Sequence, residues 1–137
     1  MNHITFLDSA DGIQAEQLQG FFVGWKSAPS SKVHLKLLTE SSYRVLAMDG
    51  EKVVGFITAV TDKTLAAYIP FLEVLPEYQN QGIGKELVKR MLSKLEDFYM
   101  IDLLCDSELQ PFYENLGMQE ATGMRIRNYK NQNGLKS

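Results

Sequence analysis

"FLEVLPEYQNQGIGKELVKRML", Phe71 to Leu92, is the stretch that decides the fold. Its first residues read as a buried strand that stops at Pro76, and its last residues read as a helix. Between them stand Gln79, Gln81, Gly82 and Gly84, a larger polar and glycine content than a turn requires. A helix N-terminus leaves its first N–H groups unpaired and carries partial positive charge, which makes it an anion site. Glycines at that point let a bulky phosphate approach the N–H groups closely. The surplus therefore predicts a ligand. Two common phosphate motifs do not fit. The P-loop spacing would put its leading glycine at Gln79 and its Ser/Thr at Glu86. The dinucleotide motif would need a glycine at Leu87.

Outward from this junction, "YRVLAMDGEKVVGFITAV" has two β-rich runs around Asp49-Gly50, a strong hairpin signal. "TDKT" makes a further turn into "LAAYIPFLEVL", so three strands form an antiparallel meander. Downstream, Ile83, Leu87, Met91, Leu95 and Phe98 recur every three or four residues as one apolar helix stripe. "MIDLLCD" is expected as a short buried strand. "SELQPFYENLG" is expected as a helix with Ser107 as N-cap, Gln110 completing a capping box, and Gly117 closing it. "GMRIRNYK" is expected as a final strand. Upstream, Ile13, Leu18, Phe21 and Phe22 predict a first helix, and "SAPSSKVHLKLLTES" predicts a loop and a second short one.

The 137 residues amount to one domain, with 45% hydrophobic and 23% charged residues, as in an ordinary globular protein. The N-terminus lacks the pattern of a secretory leader and no apolar run is long enough for a membrane span, so a cytoplasmic location is expected. Cys105 is the only cysteine, which excludes an internal disulfide and a cysteine-based metal site. His3 and His34 stand alone without ligand spacing, so no metal is expected. The net charge is −3 and the densest basic cluster, Lys85, Lys89, Arg90 and Lys94, reads as a solvated helix face, which argues against nucleic acid as a partner.

"QNQGIG" at Gln79 to Gly84 fits the Q/R-x-x-G-x-G/A loop of the GNAT (GCN5-related) N-acetyltransferases, with a strand before it and a helix after it. "PFYENLGM", Pro111 to Met118, resembles the family's late helix and the loop that follows. The resemblance runs over roughly residues 45–130. It implies a single-domain α/β GNAT fold over residues 1–130, a mixed but largely antiparallel sheet with splayed central strands flanked by helices, and a loose tail at 131–137.

The resemblance also implies acetyl-CoA as co-substrate. Its pyrophosphate would lie on Gln79, Asn80, Gln81, Gly82, Ile83, Gly84 and Lys85, and its pantetheine arm along the main chain of Leu72, Val74 and Leu75. The implied reaction is direct attack of a primary amine on the thioester through a tetrahedral intermediate. A free alkylamine has a pKa of ~10.4, so it needs a base. Glu73 is the leading candidate, with Asp102 and Asp106 as alternatives. The Val74 N–H would stabilise the oxyanion, and Tyr113 would protonate the leaving sulfur. Phe112 reads as core, and Cys105 as a buried, inert thiol.

Phe21, Phe22, Trp25 and Tyr68 are the candidates for an acceptor pocket, where aromatic faces beside carboxylates could hold a cationic amine. A small amine is the expected acceptor. A protein or peptide amino group, or a non-catalytic acetyl-CoA sensor, are the alternatives, and a homodimer is consistent with the family's habit.

Overall fold

The computed structural model describes residues 3–135. Its centre is a sheet in the order β1 (Ile4–Leu7), β2 (Tyr43–Asp49), β3 (Lys52–Thr61), β4 (Ala66–Val74) and β5 (Met100–Asp102). The first four strands are antiparallel and β5 runs parallel to β4. The expected meander is therefore β2–β3–β4. Gly50, at φ 61°, makes the tight turn of its first hairpin. β1 adds a strand that the pattern of "ITFL" is too short to announce.

Helix α2 (Ile83–Lys94) follows the glycine loop and buries Ile83, Leu87, Val88 and Met91 against β2, β3 and β4. Burial of each such side chain contributes about 1.5–3 kcal/mol. Leu95 caps the helix and is itself fully buried, so the stripe runs one residue past the last helical turn. Helix α1 (Ser31–Glu40) starts where Ser30 Oγ accepts the Val33 N–H at 3.2 Å, and it buries His34 and Leu38.

Four expectations change. The first helix is only a 3-10 turn at Ala15–Gln17, because Gly12, Gly20 and Gly24 all take positive φ and interrupt it. "MIDLLCD" supplies β5, but at the sheet edge, with Ile101 half-buried and Met100 and Asp102 exposed. Ser107 does not cap a helix. It opens a 3-10 turn, Ser107–Leu109, with no side-chain cap, and α3 (Gln110–Glu114) follows with Pro111 in its first turn. Gly117 ends that element at φ 96°, as expected. "GMRIRNYK" forms no strand within the chain, and residues 119–131 are exposed. The Ser27 N–H donates to Gln132 Oε1 at 2.8 Å, and a Cβ at Gly134 would lie 2.7 Å from Val33. Lys136 and Ser137 lie outside the described residues.

His34 is almost completely buried among Phe21, Phe22 and Phe56, with ring centroids 5.2, 4.9 and 4.4 Å away. Neither ring nitrogen has a hydrogen-bond partner. Burial alone pushes its pKa down to about 4. The folded value is thus below the unfolded one, so its contribution is complete above pH ~6.5 and is lost as the pH falls toward 4, where the unfolded chain binds the proton first. Stability should drop by roughly 2–3 kcal/mol between pH 7 and pH 4.5 from this residue. Denaturant melts at both pH values should show the drop in the parent chain and a smaller one in His34→Leu. Equal drops would contradict the assignment.

Candidate functional site

The site starts with the way β4 leaves the sheet. Its pairing with β5 lasts only from Ala66–Met100 to Tyr68–Asp102. Past Tyr68 the two strands separate, and the rest of β4 is bonded to β3 alone. This is the expected splay. The Leu75 N–H donates to the Val54 carbonyl at 2.9 Å, on the β3 side. Because successive residues of an antiparallel strand turn their amides to opposite edges, Val74 and Leu72 face the opening. The Gln79 side chain reaches back to the Val74 carbonyl at 3.0 Å and ties the loop to that edge.

The register of β4 slips by one residue between its pairs Phe71–Thr58 and Tyr68–Val60, so Ile69 and Pro70 together face one residue of β3. Pro70 lacks an N–H, and a bulge is where a strand tolerates that. The slip also re-aims side chains. Tyr68, Phe71 and Glu73 pair with Val60, Thr58 and Phe56, alternate residues of β3, and so share one face of the sheet.

The loop beyond β4 is built to leave amides free. Pro76–Tyr78 makes a 3-10 turn, anchored where Tyr78 Oη donates to Asp49 Oδ2 at 2.6 Å. Asn80 and Gly82 then take left-handed φ of 64° and 83°. Gly82 is the N-cap of α2 and offers no side chain, and the first bond across the helix start is the Glu86 N–H to the Gly82 carbonyl. Among the described residues, the six amides of Asn80, Gln81, Gly82, Ile83, Gly84 and Lys85 donate to nothing. Six consecutive free N–H groups at a helix N-terminus have the geometry and partial positive charge that suit an anion. A Cβ on Gly82 would meet nothing within 4 Å, so the space in front of it is open.

Glu73 stands on the other side of this strand end. Its two oxygens accept the Phe22 N–H at 2.9 Å and the Val23 N–H at 3.2 Å. Phe22 sits at φ 62°, a strained conformation for an aromatic residue, and this carboxylate helps to hold it there. The Phe22 ring lies 4.9 Å from Trp25 and 6.2 Å from Phe71, and Trp25 lies 6.3 Å from Phe71. Trp25 is partly open to solvent, whereas Phe21 is turned into the core against His34 and Phe56 and is not available to a ligand. Phe71 was missed in the sequence. Its position two residues before Glu73 on one strand was the available signal.

Tyr113 lies in α3, buried. The ring of its neighbour Phe112 is 5.0 Å away and would be 3.9 Å from a Cβ on Gly84, so α3 lies against the loop. Burial first, and then the Cys105 sulfur, push the Tyr113 phenol up to about 12, so it stays protonated. Tyr113 lines a cavity of ≈ 630 Å³ with Tyr68, Asp102 and Cys105. Tyr68 therefore belongs to this cavity as well as to the aromatic face, and Asp102 faces it across the β4–β5 pair. Asp106 is exposed at the start of the 3-10 turn. Cys105 is half-buried, contrary to expectation. Desolvation, and then Asp106 and Glu108, push its thiol up, which keeps it protonated. No group of three or more potential metal ligands occurs among the described residues, and no helix there is long and apolar enough to cross a membrane.

The profile of the acetyltransferase (GNAT) family matches residues 10–118. GCN5-related N-acetyltransferase 2, chloroplastic, of Arabidopsis thaliana is 33% identical over a match covering 81% of this chain and 52% of that protein. A histone acetyltransferase of Glycine max is 32% identical, covering 71% of this chain and 47% of its own. The chain thus spans about half the length of these curated relatives. A crystal structure of a candidate acetyltransferase from Deinococcus radiodurans R1 superposes with a TM-score of 0.94 at 39% identity, over 100% of both chains. A match of that extent, on this sheet and around this loop, makes the chain a member of the GNAT acetyltransferase family.

Proposed function

We propose that the chain is an N-acetyltransferase that moves an acetyl group from acetyl-CoA to the primary amine of a small cationic acceptor. The observation that carries the reading is the run of free amides from Asn80 to Lys85 beside the open edge of β4. Those amides suit a pyrophosphate, and the outward amides of Leu72 and Val74 suit an extended arm with its own amide groups. Acetyl-CoA, when bound, supplies a thioester whose carbonyl carbon takes the amine nitrogen and whose sulfur leaves.

The chain's own groups do the rest. The Val74 N–H points into the opening and donates to the oxygen on which negative charge develops. Glu73 uses lone pairs left over from Phe22 and Val23 to take the amine's proton. The rings of Phe22, Trp25 and Phe71 next to this carboxylate form an acceptor wall suited to a cation. Tyr113, which lines the cavity beside the open edge of β4, would donate its hydroxyl hydrogen to the leaving sulfur. The partly closed aromatic wall favours a small amine over a peptide. Thiol release should be measured with alkylamines, polyamines and lysine-containing peptides. Release with small cationic amines supports the proposal, and release with peptides alone would overturn the choice of acceptor.

The two roles of Glu73 separate in the pH profile. With Glu73→Gln, kcat/KM should fall by roughly 10²-fold, within the range for loss of a general base, and the loss should be steepest at low pH, where the amine is hardest to deprotonate. A uniform loss at all pH values, with KM for the amine raised, would leave Glu73 as the anchor of Phe22 and not the base.

A further inference from the structure

The acceptor wall is tied to the sheet through one side chain. Residues 19–26 make two hydrogen bonds to the rest of the described protein, and both end on Glu73. The Phe22 N–H donates to Oε1 at 2.9 Å and the Val23 N–H to Oε2 at 3.2 Å. A third bond, from the Trp25 N–H to the Phe22 carbonyl at 3.1 Å, closes a turn within the segment itself. Gly20 and Gly24 take φ of 92° and 85°, which glycine adopts freely, but Phe22 between them takes 62°. That conformation is uphill for a bulky residue. The Phe22 ring gains no polar tie, since it rests on Phe56, Phe71, Trp25 and His34, whose nitrogens pair with nothing.

The two bonds to Glu73 are thus the polar contribution that offsets the strain at Phe22. Each carboxylate oxygen takes one of the N–H groups, so both bonds depend on the ionised form. A protonated carboxyl keeps one good acceptor oxygen, and its hydroxyl oxygen is a poor one. Hydrogen bonds to an ionised acceptor are also roughly twice as strong as those to a neutral one.

We infer that the charge on Glu73 is a latch on the acceptor wall, an inference that rests on Glu73 as the base of the proposed reaction. In that reaction one proton of the acceptor's ammonium goes to a Glu73 oxygen. The nitrogen bonds to the acetyl carbon, and the carbon–sulfur bond breaks with its electron pair on sulfur, which takes the second proton from nitrogen. The product is a neutral amide. At that point Glu73 is neutral too, and its bonds to Phe22 and Val23 are at their weakest. The rings of Phe22, Trp25 and Phe71 then face a group with no cation for them to hold. The wall loosens on product and closes again when Glu73 gives its proton to water. The ionised form holds substrate, and the neutral form releases product.

Trp25 is the only tryptophan of the chain and stands in the wall at 39% exposure, so its emission reports on the latch without an added label. Glu73→Gln makes the side chain neutral at nearly the same size. At pH 7 His34, the other titratable group against Phe22, is uncharged in both chains. No ligand is needed, so the outcome is separate from whether the chain transfers acetyl groups. In the variant the Phe22 and Val23 amides should exchange about 10-fold faster, the step from a charged to a neutral acceptor. Acrylamide should quench Trp25 more strongly, while exchange in β2–β4 matches the parent. Equal exchange and quenching in the two chains would overturn the latch. Faster exchange spread through β2–β4 would overturn it as well, because the change would then be a loss of overall stability and not a local release.

Discussion

Gly84→Asp should weaken acetyl-CoA binding by about 100-fold or more while leaving the protein at least as stable as the parent. Gly84 is the second residue of α2 and has a helical backbone. A Cβ there would be 3.8 Å from Val74 Cγ2 and 3.9 Å from Phe112 Cζ, ordinary contact distances. Replacing a helical glycine gains about 0.5–1 kcal/mol, and an acidic group in the first turn adds about 0.3–1 kcal/mol. The carboxylate would at the same time occupy the space in front of the free amides and repel an incoming pyrophosphate. Loss of two hydrogen bonds to a charged group, at about 1.5–3 kcal/mol each, predicts a decrease in affinity of about 100-fold or more. Gly84→Ala provides the control, because its methyl group fits and the loop pattern admits alanine there. Calorimetry with both variants checks the pair. If Gly84→Asp binds like the parent, the anion does not lie on the start of α2.

Tyr113→Phe should lower kcat by about 10- to 150-fold and leave the affinity for acetyl-CoA near that of the parent. The size follows from the phenol's acidity. A hydroxyl pushed up to about 12 does not fully transfer its proton to an alkyl thiolate with a pKa near ~8.5, because that step is uphill by more than three units. It can donate a hydrogen bond as the charge appears, and such a bond to a charged group is worth about 1.5–3 kcal/mol. Below pH 11 the rate of the parent should therefore show no limb due to this tyrosine. A basic limb that appears in the parent and vanishes in Tyr113→Phe would contradict the raised value. An unchanged kcat would remove Tyr113 from the reaction.

What could be read in the sequence follows the physics of each element. The loop and α2 were legible because two glycines and a five-residue stripe are local signals. The β2–β3 hairpin was legible for the same reason, through Asp49-Gly50. The bulge at Ile69–Pro70 was not, since it is a relation between two strands, although Pro70 inside a strand was a hint. Without that bulge Tyr68 would not share a face with Phe71 and Glu73. The role of Glu73 as anchor of the Phe22–Val23 amides joins residues about fifty positions apart, and no spacing rule can announce that. The first helix is absent because the positive φ of Gly12, Gly20 and Gly24 outweighs the apolar spacing from Ile13 to Phe22. The last strand is absent for a different reason: "GMRIRNYK" has a strand's alternation, but a cavity separates it from the edge strand β5 and it makes no pair within its own chain.

The most direct measurement on the central claim is a titration of isotope-labelled protein with acetyl-CoA, followed through the backbone amide resonances. Binding of the coenzyme along the start of α2 and the edge of β4 should give the largest shifts at Gly82, Ile83 and Gly84, with smaller ones at Leu72 and Val74. Shifts confined to other parts of the chain, or none at saturating ligand, would contradict it.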